Sequence, residues 1–217
     1  MTTSQKVEKI IETLRGIVPE LKPPVDGMIE IQNGNHYRAL VCGILSARSR
    51  DEKTIPICRK LFEKYPTAEH LAKAPLGEIE ETIKGIGLHR QKAKYLKEAT
   101  QKLVKEFNGK LPRSLKELMQ LPGVGRKIAN ILLLHVYGED TIAVDTHVHR
   151  IANLLGLVNT KTPLETEIKL KEITPKRLWK DINYLLVGFG QTICDPKKPK
   201  CKICPVKEFC KKFATDR

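Results

Sequence analysis

The sequence predicts an all-α fold, on three observations. Apolar residues recur at helical spacing along almost all of the 217 residues. No alternating strand pattern extends beyond a few residues. Short turns with Gly, Pro or Asn separate the periodic stretches, as at Pro66-Thr67, Asn108-Gly109 and Pro122-Gly123. Helices are predicted at residues 4–17, 35–48, 52–64, 68–73, 77–83, 88–106, 114–120, 126–137, 146–155, 163–172 and 176–190.

The charge of the chain indicates a polyanionic partner. Lys and Arg number 39 against 25 Asp and Glu, which gives a net charge of +14. Nucleic acid is the first candidate for a folded chain of this charge, although a solvated face of lysines is the plainer interpretation. No apolar run is long enough to span a bilayer, so we expect a cytoplasmic, nucleoid-associated protein that contacts no membrane. The length allows one or two domains, and no long heptad pattern predicts an oligomer, so we expect a monomer.

Two glycine-rich turns join predicted helices. The first glycine turn, residues 85–89, leads from Gly85-Ile86-Gly87 into a basic helix and is also compatible with an ordinary interhelical turn. The second glycine turn, residues 123–127, follows Leu121-Pro122 and a capping box formed by Ser114 and Glu117. Gly123 and Gly125 let the backbone approach a partner closely, and the amides around Val124 and Gly125 suit a phosphate. We interpret this stretch, which includes Arg126, as a helix-hairpin-helix.

Lys127 is a candidate nucleophile in the first turn of an apolar helix. The helix dipole and partial burial both disfavour an ammonium there, which favours a neutral amine. Such an amine can form a Schiff base with a sugar carbon beside a bound phosphate backbone. The plainer alternative is one more cation that contacts phosphate, and the dipole argument alone does not decide between them.

Asp145 interrupts an apolar stretch just before the predicted helix 146–155. Locally it is an N-cap, but a carboxylate in that place can also stabilise an oxocarbenium-like transition state or assist proton transfer. His147 and His149 could relay protons. We interpret both as structural, because histidines beside a helix start usually are.

Four cysteines near the end of the chain form a candidate metal centre. Cys194, Cys201, Cys204 and Cys210 have the spacing C-x6-C-x2-C-x5-C, which suits a [4Fe–4S] cluster and, as an alternative, a tetrahedral zinc. Disulfides are disfavoured, because the sequence starts with no signal-peptide pattern and Cys42 and Cys58 lie in apolar helical stretches, as buried thiols do.

Together, Leu121 to Lys127, Val144-Asp145-Thr146-His147 and the cysteine spacing resemble the endonuclease III family of DNA glycosylase/AP lyases. The resemblance covers essentially the whole chain, including Ile44-Leu45-Ser46-Ala47 with Asp51 and Ile86-Gly87-Leu88. It implies a helix-hairpin-helix DNA glycosylase fold with a six-helix barrel at 29–139. Residues 1–28 and 140–217 would form the lobe that holds the [4Fe–4S] cluster.

The resemblance also implies roles for individual residues. Lys127 would attack C1′ of a damaged nucleotide, with Asp145 assisting base loss, and β-elimination would then nick the strand. Leu88 would fill the gap left by the flipped base. Contacts to double-stranded DNA with damaged bases or abasic sites are implied for Ser46, Arg48, Leu88, Leu121, Gly123, Val124, Gly125, Arg126, Lys197, Lys198 and Lys200.

Arg48 departs from the family pattern, in which glutamine is common at this place. A guanidinium can stack on a base or donate to it, which leaves the opposite-base preference open. The expected substrates are oxidised or ring-saturated pyrimidines such as thymine glycol. A non-catalytic module that binds damaged DNA is the alternative, and it would require neither Lys127 nor Asp145.

Overall fold

The structure, a computed structural model, describes residues 1–214, and within that range every regular element is helical. The predicted all-α fold is therefore confirmed. None of these helices combines the length and the apolar character needed to cross a membrane. The α-helices are α1 (Thr3–Arg15), α2 (Pro24–Gln32), α3 (His36–Ser46), α4 (Asp51–Lys64), α5 (Ala68–Lys73), α6 (Leu76–Thr82), α7 (His89–Phe107), α8 (Leu115–Leu118), α9 (Arg126–Tyr137), α10 (Thr146–Leu154), α11 (Pro163–Ile173), α12 (Trp179–Thr192) and α13 (Lys211–Ala214). Short 3₁₀ helices cover Pro19–Leu21, Lys176–Leu178, Cys201–Ile203 and Lys207–Phe209.

The chain divides into two compact units. The central unit comprises Asp26–Glu139, and the terminal unit comprises Met1–Val25 together with Asp140–Arg217. Each unit contains its own cluster of buried apolar side chains. Whether residues 29–139 act as a barrel domain, and residues 1–28 with 140–217 as a cluster-binding domain, stays a prediction.

Helix α3 passes through the core of the central unit. Its buried residues are Tyr37, Ala39, Leu40, Val41, Cys42, Gly43, Ile44 and Leu45, and a helix that is apolar on nearly every side is stable only when surrounded. A Cβ atom added at Gly43 would lie 2.8 Å from Cγ2 of Ile128, so glycine permits the close approach of α3 to α9. This packing fixes the first turn of α9, where Lys127 lies.

The terminal unit is built around α1, α10 and α12. One face of α1 buries Val7, Ile10, Ile11 and Leu14. A Cβ atom added at Gly190 of α12 would lie 2.5 Å from Nδ1 of His147, so α10 and α12 pack closely at this point. The beginning of α10, where Asp145 lies, is thereby held against a buried helix.

Two of the observed α-helices, α2 and the short α13, were not predicted, and one predicted helix is divided. Helix α2 was not predicted, because Pro23, Pro24 and Gly27 resemble a break in the sequence. Pro24 is in fact the first helical residue, where its missing N–H is not needed. Gly27 lets α2 approach α4 closely, because a Cβ atom added there would lie 2.9 Å from Cδ1 of Ile55. The predicted helix 176–190 is a 3₁₀ turn followed by α12.

The predicted capping box before the second glycine turn is only half formed. The Glu117 amide donates to Oγ of Ser114 at 3.2 Å, as an N-cap requires. The Glu117 carboxylate accepts from the Ser114 hydroxyl at 2.5 Å, whereas a capping box would direct it to the backbone amide of Ser114. Helix α8 therefore begins on an ordinary serine cap.

Candidate functional site

The second glycine turn joins α8 to α9 in the central unit. Gly123 has φ +81°, and a Cβ atom added there would lie 3.0 Å from Cβ of Tyr95, so both the backbone angle and the packing require glycine. Leu121 and Val124 are buried on either side of it. The apolar side chains thus hold the turn in the core, while Gly125 stays exposed as the N-cap of α9.

The backbone amides of this turn are not all available to an anion. The Val124 amide donates to the carbonyl oxygen of Leu121 at 3.0 Å, so it closes the turn. No side chain caps the start of α9. Because the first N–H groups of a helix have no acceptor within it, the amides that suit a phosphate are those of the first turn of α9, after Gly125.

Lys127 is the second residue of α9 and is half-buried. His135 lies two turns further along the same helix. Burial and then the charge of Lys127 lower the pKa of His135. Nδ1 of His135 is buried and has no hydrogen-bond partner within residues 1–214. Nothing local in the sequence marks this histidine, because its coupling to Lys127 depends on the helix.

Asp145 caps α10 in the terminal unit, so the local N-cap interpretation is confirmed. Its Oδ1 accepts from the Val148 amide at 2.8 Å. The residues before it, Ile142 to Val144, are buried, and Nδ2 of Asn183 donates to the Ala143 carbonyl at 2.9 Å. Asn183 thus helps to hold the segment that leads into Asp145, and sequence reasoning missed it.

The two histidines beside Asp145 have different surroundings. Nδ1 of His147 is buried and without a hydrogen-bond partner among the described residues. Nδ1 of His149 lies 2.6 Å from Oγ1 of Thr166, which in turn lies 2.6 Å from Oγ1 of Thr160. His149 therefore belongs to a polar network that links α10 to α11.

The first glycine turn joins α6 to α7 in the central unit and presents Leu88. Leu88 is the N-cap of α7, has the left-handed angle φ +61°, and is 54% exposed. Ile86 beside it is buried. The side chain of Leu88 is thus accessible to another molecule, as are those of other exposed apolar residues such as Ile203.

Ser46 and Arg48 lie where α3 gives way to the arginine loop, residues 47–50. Ser46 is the last residue of α3, and its hydroxyl donates to the Gly43 carbonyl at 3.1 Å. Arg48 is exposed and has φ +54°, a conformation that few non-glycine residues adopt. A pocket of about 400 Å³ is lined by Arg48, Ser49, Arg50, Lys53, Gly85, Ile86 and Gly87.

The four cysteines of the tail border one cavity of about 220 Å³ in the terminal unit. Burial raises the pKa of Cys204, and the neighbouring thiols of Cys194, Cys210 and Cys201 raise it further, so all four lie close together. Within residues 1–214, no three His, Cys, Asp or Glu side chains converge on a point suited to a single metal ion. A set of four thiols around one partly apolar cavity fits an iron–sulfur cluster.

Arg150 and Asp195 shape the surroundings of these cysteines. Arg150 donates to the carbonyl oxygen of Cys194 at 2.5 Å and to its Sγ at 3.4 Å. Oδ1 of Asp195 accepts from the amides of Lys197 and Lys198, both at 2.8 Å. An aspartate turn therefore folds the lysine loop, residues 195–200, in which Lys197, Lys198 and Lys200 are exposed.

The predicted site residues fall into two groups. The central unit contains Ser46, Arg48, Leu88, Leu121, Gly123, Val124, Gly125, Arg126 and Lys127. The terminal unit contains Asp145, Cys194, Lys197, Lys198, Lys200, Cys201, Cys204 and Cys210. Their roles in binding and catalysis stay predictions.

Comparisons with known proteins identify the family of the chain. The HhH-GPD superfamily base excision DNA repair protein family matches residues 41–176. Endonuclease III of Thermotoga maritima is 48% identical over 174 residues, which covers 80% of this chain and 82% of that protein. Endonuclease III of Bacillus subtilis is 36% identical and covers 84% of each chain. A solved structure of a trapped endonuclease III–DNA covalent intermediate, an estranged-adenine complex, matches with a TM-score of 0.83 at 33% identity, covering 100% of this chain and 99% of that one.

Proposed function

The chain belongs to the HhH-GPD superfamily of base excision DNA repair proteins, and within it to the endonuclease III family, and on that premise we propose the substrate and mechanism of this DNA glycosylase and AP lyase. The proposed substrate is double-stranded DNA that contains an oxidised pyrimidine, such as thymine glycol, or an abasic site. The net charge of +14 supports a polyanionic partner, whose binding weakens as salt rises.

Lys127 is the proposed nucleophile. Its Nζ lone pair bonds to C1′ while the bond from C1′ to the base breaks, and the electron pair leaves with the base, which takes up a proton. Ring opening gives an imine. Loss of a C2′ proton then lets the C3′–O bond break, with the electron pair leaving on the 3′ phosphate. The observation that supports this role is the place of Lys127 in the uncapped first turn of α9, where neighbouring amides suit a phosphate.

Asp145 is the proposed carboxylate that assists base loss and the proton transfers. Its Oδ1 caps α10, which orients the carboxylate, and the second oxygen is the one proposed to act on substrate. The two functions are compatible because a carboxylate has more acceptor sites than one capping bond uses.

Leu88, Ser46 and Arg48 are proposed to contact the duplex at the damaged pair. Extrusion of a nucleotide leaves a gap, and an exposed apolar side chain offsets part of the lost stacking. Leu88 fits that role through its exposure at the N-cap of α7. Arg48 is proposed to face the base opposite the lesion. The second glycine turn is proposed to hold the strand through the amides after Gly125 and through Arg126, with Leu121, Gly123 and Val124 shaping the turn.

The four cysteines Cys194, Cys201, Cys204 and Cys210 are proposed to hold a [4Fe–4S] cluster. When bound, that group supplies a covalent cross-link for the tail of the chain. The lysine loop between the first two cysteines then presents Lys197, Lys198 and Lys200 to phosphates. Absorbance near about 400 nm separates an iron–sulfur protein from the zinc alternative, which is colourless. A monomeric, cytoplasmic protein associated with the nucleoid also stays a prediction.

Borohydride trapping on a duplex with a single thymine glycol tests this proposal. Native protein should give a covalent protein–DNA band, Lys127→Ala should give none, and Asp145→Asn should give less at equal binding. Trapping only on a pre-formed abasic site would overturn the pyrimidine substrate but keep the lyase. A band that persists in Lys127→Ala would overturn the assignment of the nucleophile.

A further inference from the structure

Lys92 is a buried lysine that none of the steps above uses. It lies on α7, four residues after Leu88, and is only 4% exposed. Its Nζ donates to the carbonyl oxygen of Leu45 at 2.8 Å and to Oγ of Ser49 at 2.8 Å. One side chain of α7 therefore contacts the last turn of α3 and the loop that follows it.

A buried ammonium in this place is unfavourable by itself. The charged side chains that line the pocket beside its acceptor Ser49 are all cations, namely Arg48, Arg50 and Lys53. Burial lowers the pKa of Lys92 to about 8. An apolar side chain would fill the same space without the free-energy cost of burying an ammonium. What lysine contributes at this position is therefore its two hydrogen bonds.

The two acceptors bracket Arg48. Leu45 lies before it, in the last turn of α3, and Ser49 follows it directly. Other hydrogen bonds act at the two ends of the loop: the Ser49 amide donates to the Ser46 carbonyl at 3.0 Å, and the Arg50 carbonyl accepts from the Lys53 and Thr54 amides at 3.1 and 3.0 Å. The bonds from Lys92 tie this segment to α7. Lys92 thus determines where the arginine loop, with Arg48 at a positive φ, lies relative to α7.

The same helix begins at Leu88. The Lys92 amide donates to the Leu88 carbonyl at 2.9 Å, which closes the first turn of α7. The backbone amide of Lys92 therefore bonds to the first glycine turn at Leu88, while its ammonium bonds to the arginine loop at Ser49. Both segments line the pocket of about 400 Å³ described above.

We propose that Lys92 is a positioning residue that fixes Arg48 relative to Leu88, and through Arg48 sets how strongly the enzyme discriminates the base opposite the lesion. This inference rests on the proposed function of Arg48 and Leu88. Lys92 itself touches neither the base nor the reacting sugar. Its effect is exerted through the geometry of the arginine loop, so it should vanish when Arg48 has no side chain to position.

The test compares Lys92→Met with Lys97→Met. Lys97 lies on the same helix and donates to the Ala74 carbonyl at 2.9 Å, at a turn remote in sequence from the arginine loop. The measurement is the ratio of single-turnover excision rates for thymine glycol opposite guanine and opposite adenine. We expect that ratio to move toward one by about tenfold in Lys92→Met, the size that coupled neighbouring residues commonly show, and to be unchanged in Lys97→Met.

A double-mutant cycle decides whether Lys92 acts through Arg48. In the Arg48→Ala background, Lys92→Met should leave the ratio unchanged. An equal effect in both backgrounds would overturn the inference, because a general loss of stability acts whether or not Arg48 is present. Should Lys92→Met fail to fold, Ser49→Ala removes only the hydroxyl acceptor. It should shift the ratio in the same direction by less, and no shift would overturn the inference.

Hydrogen exchange separates failure of this inference from failure of the proposed function. Amides of residues 47–50 should exchange faster in Lys92→Met than in native protein or Lys97→Met, whatever the substrate. Native protein without activity on thymine glycol would defeat the proposed substrate, and the ratio would then be measured for strand cleavage at an abasic site opposite each base. Unchanged exchange in Lys92→Met would overturn the positioning role by itself.

Discussion

The two glycine turns of the central unit share a design and differ by one residue in where the next helix begins. Each places a buried apolar residue between two glycines, Ile86 in the first and Val124 in the second. In the second turn the extended Gly125 is the N-cap and α9 starts at Arg126. In the first turn α7 starts one position later, after a left-handed cap.

That one-residue difference separates the kinds of chemistry the turns can perform. A glycine cap presents no side chain, so the second turn offers backbone amides and a lysine in the first helical turn. A left-handed cap on a leucine directs a large apolar side chain into solvent at the first turn. One turn is suited to an anion and a nucleophile, and the other to filling space. Four comparisons of variants break or sharpen this contrast, the first three in order of decreasing effect.

The largest effect is expected at the lysine of the second turn. Lys127→Ala removes the amine that is proposed to form the imine, so the trapped fraction should fall by on the order of 10³-fold or more. His89, the residue at the matching place after the first Gly-x-Gly, is the matched control, and His89→Ala should retain trapping within about tenfold. Equal losses in the two variants would mean that the turns do not differ in chemistry.

Substitution of the positive-φ glycine should reduce the stability of the protein more in the second turn than in the first. Gly123→Ala introduces a Cβ at 3.0 Å from Tyr95 and a strained positive φ, so unfolding free energy should fall by about 3 kcal/mol. A Cβ added at Gly85 meets nothing within 4 Å, so Gly85→Ala carries only the backbone strain, about 1 kcal/mol. Urea denaturation measures both, and similar losses would contradict the packing difference.

Substitution of an apolar residue should reduce stability in the second turn and activity in the first. Val124→Ala removes buried methyl groups and should reduce the free energy of unfolding by about 1 to 2 kcal/mol. Leu88→Ala changes an exposed side chain and should leave stability within about 0.5 kcal/mol. We expect Leu88→Ala to slow excision of thymine glycol by about tenfold, because the side chain proposed to fill the gap is then absent. Unchanged excision would remove Leu88 from the proposed site.

The last comparison concerns the fourth residue of each following helix, which is Lys92 in α7 and buried Ala129 in α9. Burial lowers the pKa of Lys92 from 10.5 to about 8, although the Cys58 thiol on α4 acts to raise it. The folded chain therefore binds fewer protons than the unfolded chain between these values, and stability rises with pH across that window.

Lys92→Met should abolish this rise, so the stability difference between native protein and variant should change between about pH 8 and about pH 10.5. Denaturant midpoints measured at several pH values check it. Lys97→Met should keep the rise. Parallel curves for native protein and Lys92→Met would show that Lys92 does not titrate in this range.

Much of the fold and part of the site could be predicted from local patterns. Periodic apolar residues predicted most of the helices, and the Asp145 cap follows from a carboxylate just before a helix. The roles of Lys92 and Asn183 could not be predicted in this way. Lys92 reaches an acceptor 47 positions away and Asn183 one 40 positions away, and no short motif encodes such pairs. Asp195 differs from these two, because it accepts from amides only two and three residues later and its turn therefore follows a local pattern.

By itself the sequence determined the helical class, the two glycine turns, the spacing of the four cysteines and the family, because each depends on residues close together in the chain. Only the tertiary structure decided that the Val124 amide closes its own turn, that Leu88 is exposed while Ile86 is buried, and that an ammonium on α7 holds the arginine loop. Those outcomes depend on which groups meet across the core, where packing and hydrogen-bond geometry choose among several locally acceptable conformations.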